Sequence, residues 1–143
     1  MKIKLKKLDR TLTIPKQAHD GDAGYDLISA IDATIRPGER LLVPTGIALQ
    51  IPSGYGGFVQ PRSGLAIKQG IGLVNSPGLI DSSYRGEIKV IMINLDKKKE
   101  FSIKRGDKIA QLVVQKVIEF QFEEVDELDD SDRGAGGFGS SGR

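Results

Sequence analysis

Apolar runs in this chain are short, and Gly, Pro, Asp or Ser interrupts them about every ten residues. Arg36-Pro37-Gly38, Pro52-Ser53-Gly54 and Arg105-Gly106-Asp107 are turn signals of this kind. Many short strands at that spacing point to a sandwich, a jelly roll or a barrel. The expected strands are Ile3–Leu8, Asp26–Ala30, Arg40–Pro44, Ile47–Ile51, Tyr55–Gln60, Ile71–Val74, Ile88–Leu95, Phe101–Ile103 and Ile109–Phe122. One stretch, Ser63 to Gly70, reads as a short helix. It has a serine to cap its start, a small apolar face and a glycine to stop it.

At 143 residues the expectation is one β domain, residues 1–122, followed by a tail, residues 123–143. Seven acids crowd Glu123 to Asp132, and a glycine-rich run follows from Arg133. No apolar periodicity survives there, so the tail has too little to bury to order itself. Cysteine is absent, which excludes a disulfide framework, a thiolate zinc site and a cysteine nucleophile, and suits a cytoplasmic location. The net charge of +2 is too small to indicate nucleic-acid binding. Lys2 to Lys7 alternates charged and apolar residues like an amphipathic strand, unlike the continuous apolar core of a signal peptide. No run approaches the roughly 20 apolar residues of a membrane span.

Five segments carry the chemistry. In Gly78-Leu79-Ile80-Asp81-Ser82-Ser83-Tyr84-Arg85-Gly86-Glu87, a lone carboxylate sits inside a glycine-framed stretch between Ile71–Val74 and Ile88–Leu95. It reads as a hairpin whose arms approach something closely. Asp81 is then a candidate base or metal-linked acid; the plain alternative is a turn residue bonding its own backbone. Arg62-Ser63-Gly64 offers a guanidinium fork, a hydroxyl and a helix start in sequence, a set suited to phosphate. Arg105-Gly106-Asp107-Lys108 leads to Gln111, an amide on a strand. Arg133 to Gly142 offers a cation, bare backbone amides, two serines and Phe138. Asp22-Ala23-Gly24-Tyr25-Asp26 supplies acids that could hold a magnesium through water. Singly, each is also an ordinary turn. The only histidine, His19, reads as a loop residue, and a single histidine excludes two-histidine metal sites.

In this order the five segments resemble the motifs of the homotrimeric deoxyuridine triphosphatases (dUTPases), and the resemblance covers nearly the whole chain. It implies an all-β, distorted jelly-roll (β-clip) domain with one short helix and a flexible glycine-rich C-terminal tail. It further implies a trimer with shared sites that hydrolyses dUTP to dUMP and pyrophosphate with Mg²⁺, lowering dUTP and supplying dUMP for thymidylate synthesis. By the same resemblance Asp81 activates a water for attack on the α-phosphorus. Arg62, Ser63, Gly64 and Gln111 meet the phosphates, and Asp26 reaches Mg²⁺ through its waters. Asn75, with the backbone of Gly78, Leu79 and Ile80, reads uracil; Tyr84 packs under the deoxyribose; Lys89 is a further contact. In the tail Phe138 stacks on uracil, while Arg133, Gly139, Ser140 and Ser141 close over the terminal phosphates as a lid.

Two other readings share the fold: a dCTP deaminase and a non-catalytic nucleotide-binding trimer. A deaminase needs a glutamate activating water at the base, whereas the acid here is Asp81. No membrane or nucleic-acid partner is expected.

Overall fold

The strands come first from alternation. In the eight residues Glu87–Asn94, Ile88, Val90, Met92 and Asn94 turn inward while Glu87, Lys89, Ile91 and Ile93 between them are less buried, the two-residue period of a half-buried sheet. A computed structural model describes residues 1–137. Its elements, in chain order, are β1 (Lys4–Lys7), β2 (Tyr25–Ile28), β3 (Ala33–Ile35), β4 (Arg40–Gln50), β5 (Tyr55–Gln60), α1 (Ser63–Gln69), β6 (Ile71–Leu73), β7 (Gly78–Ile80), β8 (Glu87–Asn94), β9 (Phe101–Ile103) and β10 (Lys108–Lys116). All strand pairs are antiparallel. One sheet runs β1-β4-β8-β6, a second β2-β10-β5-β7, and β3 pairs with β9.

The core joins Val43, Ile47, Ile88, Val90 and Met92 of the first sheet to Leu27, Val59, Ile109, Ala110 and Leu112 of the second. Each large side chain so buried stabilises the fold by about 1.5–3 kcal/mol relative to exposure. The buried Asn94 is fully bonded: its amide donates to the carbonyls of Ile35 and Lys99, and its oxygen accepts from Asp96 N–H. No helix is long and apolar enough to cross a membrane.

The all-β expectation with one short helix holds, and four details differ. The expected strands Arg40–Pro44 and Ile47–Ile51 are one strand, β4, interrupted by a bulge between Pro44 and Ala48. There Thr45 donates to the Ile88 carbonyl at 2.6 Å, and Gly46 takes φ +70°. Strand β3, three residues long, carried too little alternation to be read. Ser63 is the first helical residue, not the cap: Arg62 occupies the cap position and supplies no side-chain bond. Gly70 does end the helix, at φ 65°, with its N–H on the Ala66 carbonyl. Finally, β10 stops at Lys116, where Val117 N–H bonds the Gly54 carbonyl and the neighbouring strand has already turned away. Ile118, Phe120 and Phe122 keep a two-residue alternation beyond it but stand exposed at 77%, 71% and 93%.

Candidate active site

Asp26 is the focus of one half of the site. It lies on β2, in direct register with Gln111 on β10, which in turn faces Gln60 at the end of β5. The carboxylate is nearly buried, and cationic or amide groups from two other segments surround it. Lys108 Nζ lies 2.7 Å from Oδ2, Arg62 Nε lies 3.7 Å from Oδ1, and Gln111 Nε2 donates to Oδ1 at 3.5 Å. Burial of a charge is tolerable only with such partners. Arg62 is held in place by a bond from its Nη1 to the Lys108 carbonyl at 2.7 Å.

A bulge makes this gathering possible. The pairing of β10 with β2 shifts between Lys108 and Ala110, so Lys108 faces Ile28 and Gln111 faces Asp26. Residues three apart thereby share one face, while Ile109 and Ala110 between them are both buried. The turn before the bulge is pinned by Ser29 N–H to the Asp107 carbonyl and Gly106 N–H to the Ser29 carbonyl, each 2.8 Å. Lys108 is a neighbour of Asp26 to which the sequence motifs give no role; the consecutive apolar pair Ile109-Ala110, which breaks the alternation, is the signal for it.

Ser63 and Gly64 open α1 beside Arg62 and are exposed; a side chain at Gly64 would meet nothing within 4 Å, so open space adjoins it. Arg62 and Lys108 also line a cleft of about 400 Å³ with Leu65, Gln69, Gly106 and Asp107. Arg105, by contrast, turns away from this cleft. Its Nη2 sits 2.5 Å from Oδ2 of Asp9, and its backbone N–H donates to Asp32 at 2.7 Å. The Arg105 hydrogen bond, aided by Thr11, lowers the Asp9 pKa from 3.8 to about 2.

The donor set for a metal is sparse. Among the described residues no three His, Cys, Asp or Glu side chains converge. Both oxygens of Asp26 are already faced by protein donors, which leaves it suited to contact with a hydrated ion. Such a carboxylate would fit a hard ion that keeps several of its waters, such as Mg²⁺.

The other half of the site lies elsewhere in the chain. The expected hairpin is corrected in one respect: β6 and β8 do pair, but Gly78–Ile80 leaves their sheet and becomes β7, the edge of the second sheet beside β5. Asp81 then opens a turn, with Tyr84 N–H on its carbonyl. Gly78 is buried under Asn75, whose Nδ2 would lie 3.3 Å from any β-carbon there. Tyr84 lies across Gly86 and donates its hydroxyl to the Glu87 carbonyl at 3.1 Å. Asp81, Tyr84, Lys89, Leu79, Ile80 and Leu42 are among the residues lining a cleft of about 360 Å³. Lys89 also pairs with Glu87 at 3.8 Å.

These two clefts share no lining residue. Ile80 faces Gly57 on β5, so Asp81 falls opposite Gly56, whereas Gln111 faces Gln60. Strand rise and spacing put Asp81 roughly 16 Å from Gln111 within one chain. Arg133 is exposed, and among the described residues its Nε donates to the Gly136 carbonyl within its own turn at 2.7 Å. Phe138, Gly139, Ser140 and Ser141 lie outside the described residues. His19 is exposed in a loop, its N–H donating to Asp22 at 2.9 Å. A third cleft, lined by Ile3, Leu5, Ile14, Tyr25, Leu49 and Val114 among others, carries no charged side chain and does not suit a triphosphate.

A family model described as dUTPase matches residues 10–142. The chain belongs to the dUTPase family. Among its dUTPase relatives, the deoxyuridine 5'-triphosphate nucleotidohydrolase of Rhodococcus erythropolis is 57% identical over 99% of this chain and 87% of its own length. That of Corynebacterium glutamicum is also 57% identical, over 99% of this chain and 95% of its own. The dUTPase of Staphylococcus bacteriophage 80alpha, solved with dUPNHPP, superposes with a TM-score of 0.91 at 29% identity and covers 99% of both chains. An Asp-to-Asn mutant dUTPase from phage phi11 of S. aureus, described as coordinating a structural Mg(II) ion, gives 0.82 at 26% identity, over 89% of this chain and 98% of that one.

Proposed function

We propose that this chain is a dUTP diphosphatase: it hydrolyses dUTP to dUMP and pyrophosphate. The observation that carries the reading is the cluster of Arg62, Lys108 and Gln111 about the buried Asp26, a phosphate-scale set of donors in a chain of the dUTPase family. Such a reaction asks the protein mainly for positioning and charge stabilisation. In this reading Arg62, Ser63, Gly64 and Gln111 hold the triphosphate. Mg²⁺ on the triphosphate oxygens, with Asp26 behind its waters, neutralises phosphate charge when bound. Asp81 orients a water toward the α-phosphorus, in line with the departing pyrophosphate, and takes up its proton.

Base choice falls to the stretch around β7. Asn75 and the backbone of Gly78, Leu79 and Ile80 present fixed donors and acceptors to uracil. Cytosine would leave a buried group unpaired, a mismatch that discriminates by up to about 10⁴-fold. Tyr84 packs under the sugar and Lys89 lines the same cleft. Arg133, Phe138, Gly139, Ser140 and Ser141 close the tail over bound nucleotide.

The separation of Asp81 from Gln111 supports sites shared between copies, and with them a homotrimer. Leu42, Val74 and Leu79 are exposed at 53%, 51% and 65% near the Asp81 cleft, and Ile118, Phe120 and Phe122 add further uncovered apolar surface. A cysteine-free enzyme acting on a free nucleotide suits the cytoplasm. The deciding experiment is pyrophosphate release from dUTP, dCTP, dTTP and UTP, with and without Mg²⁺. Release confined to dUTP and promoted by Mg²⁺ is expected; ammonia from dCTP in its place would overturn the reading.

A further inference from the structure

Gly24 immediately precedes β2 and lies two residues from Asp26, on the face that carries Gln111 across the ladder. A β-carbon at Gly24 would stand 3.2 Å from Cβ, 3.3 Å from Cδ and 3.5 Å from Oε1 of Gln111. The Gln111 side chain therefore runs along the bare backbone of Gly24 and ends at the Asp26 carboxylate. The backbone itself does not ask for glycine: Gly24 is not among the positive-φ glycines. Gly21, in the same loop, is the opposite case, at φ +89° with nothing within 4 Å. Gly21 serves a turn, whereas Gly24 serves a contact.

We propose that Gly24 is a positioning residue for Gln111. Its missing side chain lets the amide lie close against the start of β2 beside Asp26, where it can face the triphosphate. This rests on the reading of Gln111 as a phosphate contact given above. The contact with Cβ of Gln111 is short by only a few tenths of an ångström and is relieved by a slight shift of β2 against β10. The contacts with Cδ and Oε1 yield by rotating the amide. That rotation breaks a hydrogen bond to Asp26 that is already long at 3.5 Å. Misplacing a positioning group by about 1 Å costs up to about 10²-fold in rate.

The test is a cycle of Gly24→Ala, Gln111→Ala and the double variant, followed by pyrophosphate release from dUTP and by thermal melting. Gln111→Ala is expected to lower kcat/KM by about 10²-fold, and Gly24→Ala by about 10-fold with little change in Tm. In the Gln111→Ala background, Gly24→Ala should cost less than about two-fold, because the amide it displaces is gone. Wild-type kcat/KM for Gly24→Ala, or the same loss in both backgrounds, overturns the proposal. Should Gly24→Ala fail to fold while the double variant folds, the clash lies with the Gln111 amide beyond Cβ, as proposed; failure of both places it at Cβ or the backbone and overturns the proposal. Wild-type kcat/KM for Gln111→Ala removes Gln111 from the site, and the reason for Gly24 with it.

Discussion

The Lys108 ammonium stands 2.7 Å from Oδ2 of Asp26, a half-exposed cation on a carboxylate whose side chain is only 6% accessible. Removing the cation would leave that carboxylate with Arg62 at 3.7 Å and a long amide bond. Lys108→Met should therefore destabilise the fold by about 1–2 kcal/mol, between the ~0–1 kcal/mol of an exposed pair and the ~3–5 kcal/mol of a buried one, because Lys108 is half in water. Combining it with Asp26→Asn should cost less than the sum of the two single changes. Urea unfolding of the three variants checks both points.

What sequence made legible follows the physics of each element. Short apolar runs bounded by turn residues mark β5 and β9 to the residue, because each has an unbroken ladder. That signal fails where a local device interrupts the ladder. The bulge at Thr45-Gly46 looked like a break between strands, and the bulge at Ile109 hid the fact that Lys108 and Gln111 share a face. The same reading overruns at Ile118 to Phe122, where alternation persists but no strand among the described residues pairs with it. Among the site residues, Asp26, Arg62 and Gln111 come together. Asp81 does not join them, since strand pairing, which sequence spacing does not encode, sends β7 to the far edge of the second sheet.

Asp81 is the only carboxylate among the residues lining the second cleft apart from Glu87, which is engaged by Gly46 N–H at 2.9 Å and lies near Lys89. Asp81→Asn keeps the shape and removes the base. Turnover of dUTP should fall by about 10³-fold or more, while dUTP binding stays within a few-fold. Single-turnover kinetics beside equilibrium binding separates the two; turnover near wild type would take the water away from Asp81.

Gly86 holds the space Tyr84 occupies. A β-carbon there would overlap the Tyr84 hydroxyl and lie 2.5 Å from Cζ. The ring tip is exposed and can swing, so Gly86→Ala should fold, but with Tyr84 displaced and its bond to Glu87 lost. If Tyr84 excludes a 2′-hydroxyl, the preference for dUTP over UTP should drop by about 10-fold, as it should in Tyr84→Ala. Comparing kcat/KM for the two nucleotides in both variants checks it, and an unchanged ratio would detach Tyr84 from sugar selection.

Asp9 ties the N-terminal loop to the turn before β10 through Arg105. Its folded pKa, about 2, lies below the ordinary 3.8 because the ionised carboxylate accepts the Arg105 hydrogen bond. The native state thus favours the charged form. The stabilisation is fully present above about pH 4 and fades as pH falls through about 2. Asp9→Asn should melt below the wild type at neutral pH and converge with it near pH 2. A constant gap in Tm across that range would mean that Asp9 acts through contacts other than its charge.

The distance between Asp81 and Gln111 gives the sharpest test of assembly. If one substrate needs both, they must come from different copies, and two inactive variants should restore each other. Asp81→Asn chains retain Gln111, and Gln111→Ala chains retain Asp81. Random mixing in equal amounts leaves about a quarter of shared sites with both wild-type residues, as expected for any ring in which each site is built by two neighbours. Denaturing the two variants together, refolding them and measuring pyrophosphate release should therefore recover about a quarter of wild-type activity per site. The same variants refolded apart and then mixed should recover none until subunits exchange. Sites complete within a single chain would give no recovery under either protocol, and would require Asp81 and Gln111 to close a gap of roughly 16 Å that the paired strands β10, β5 and β7 hold open.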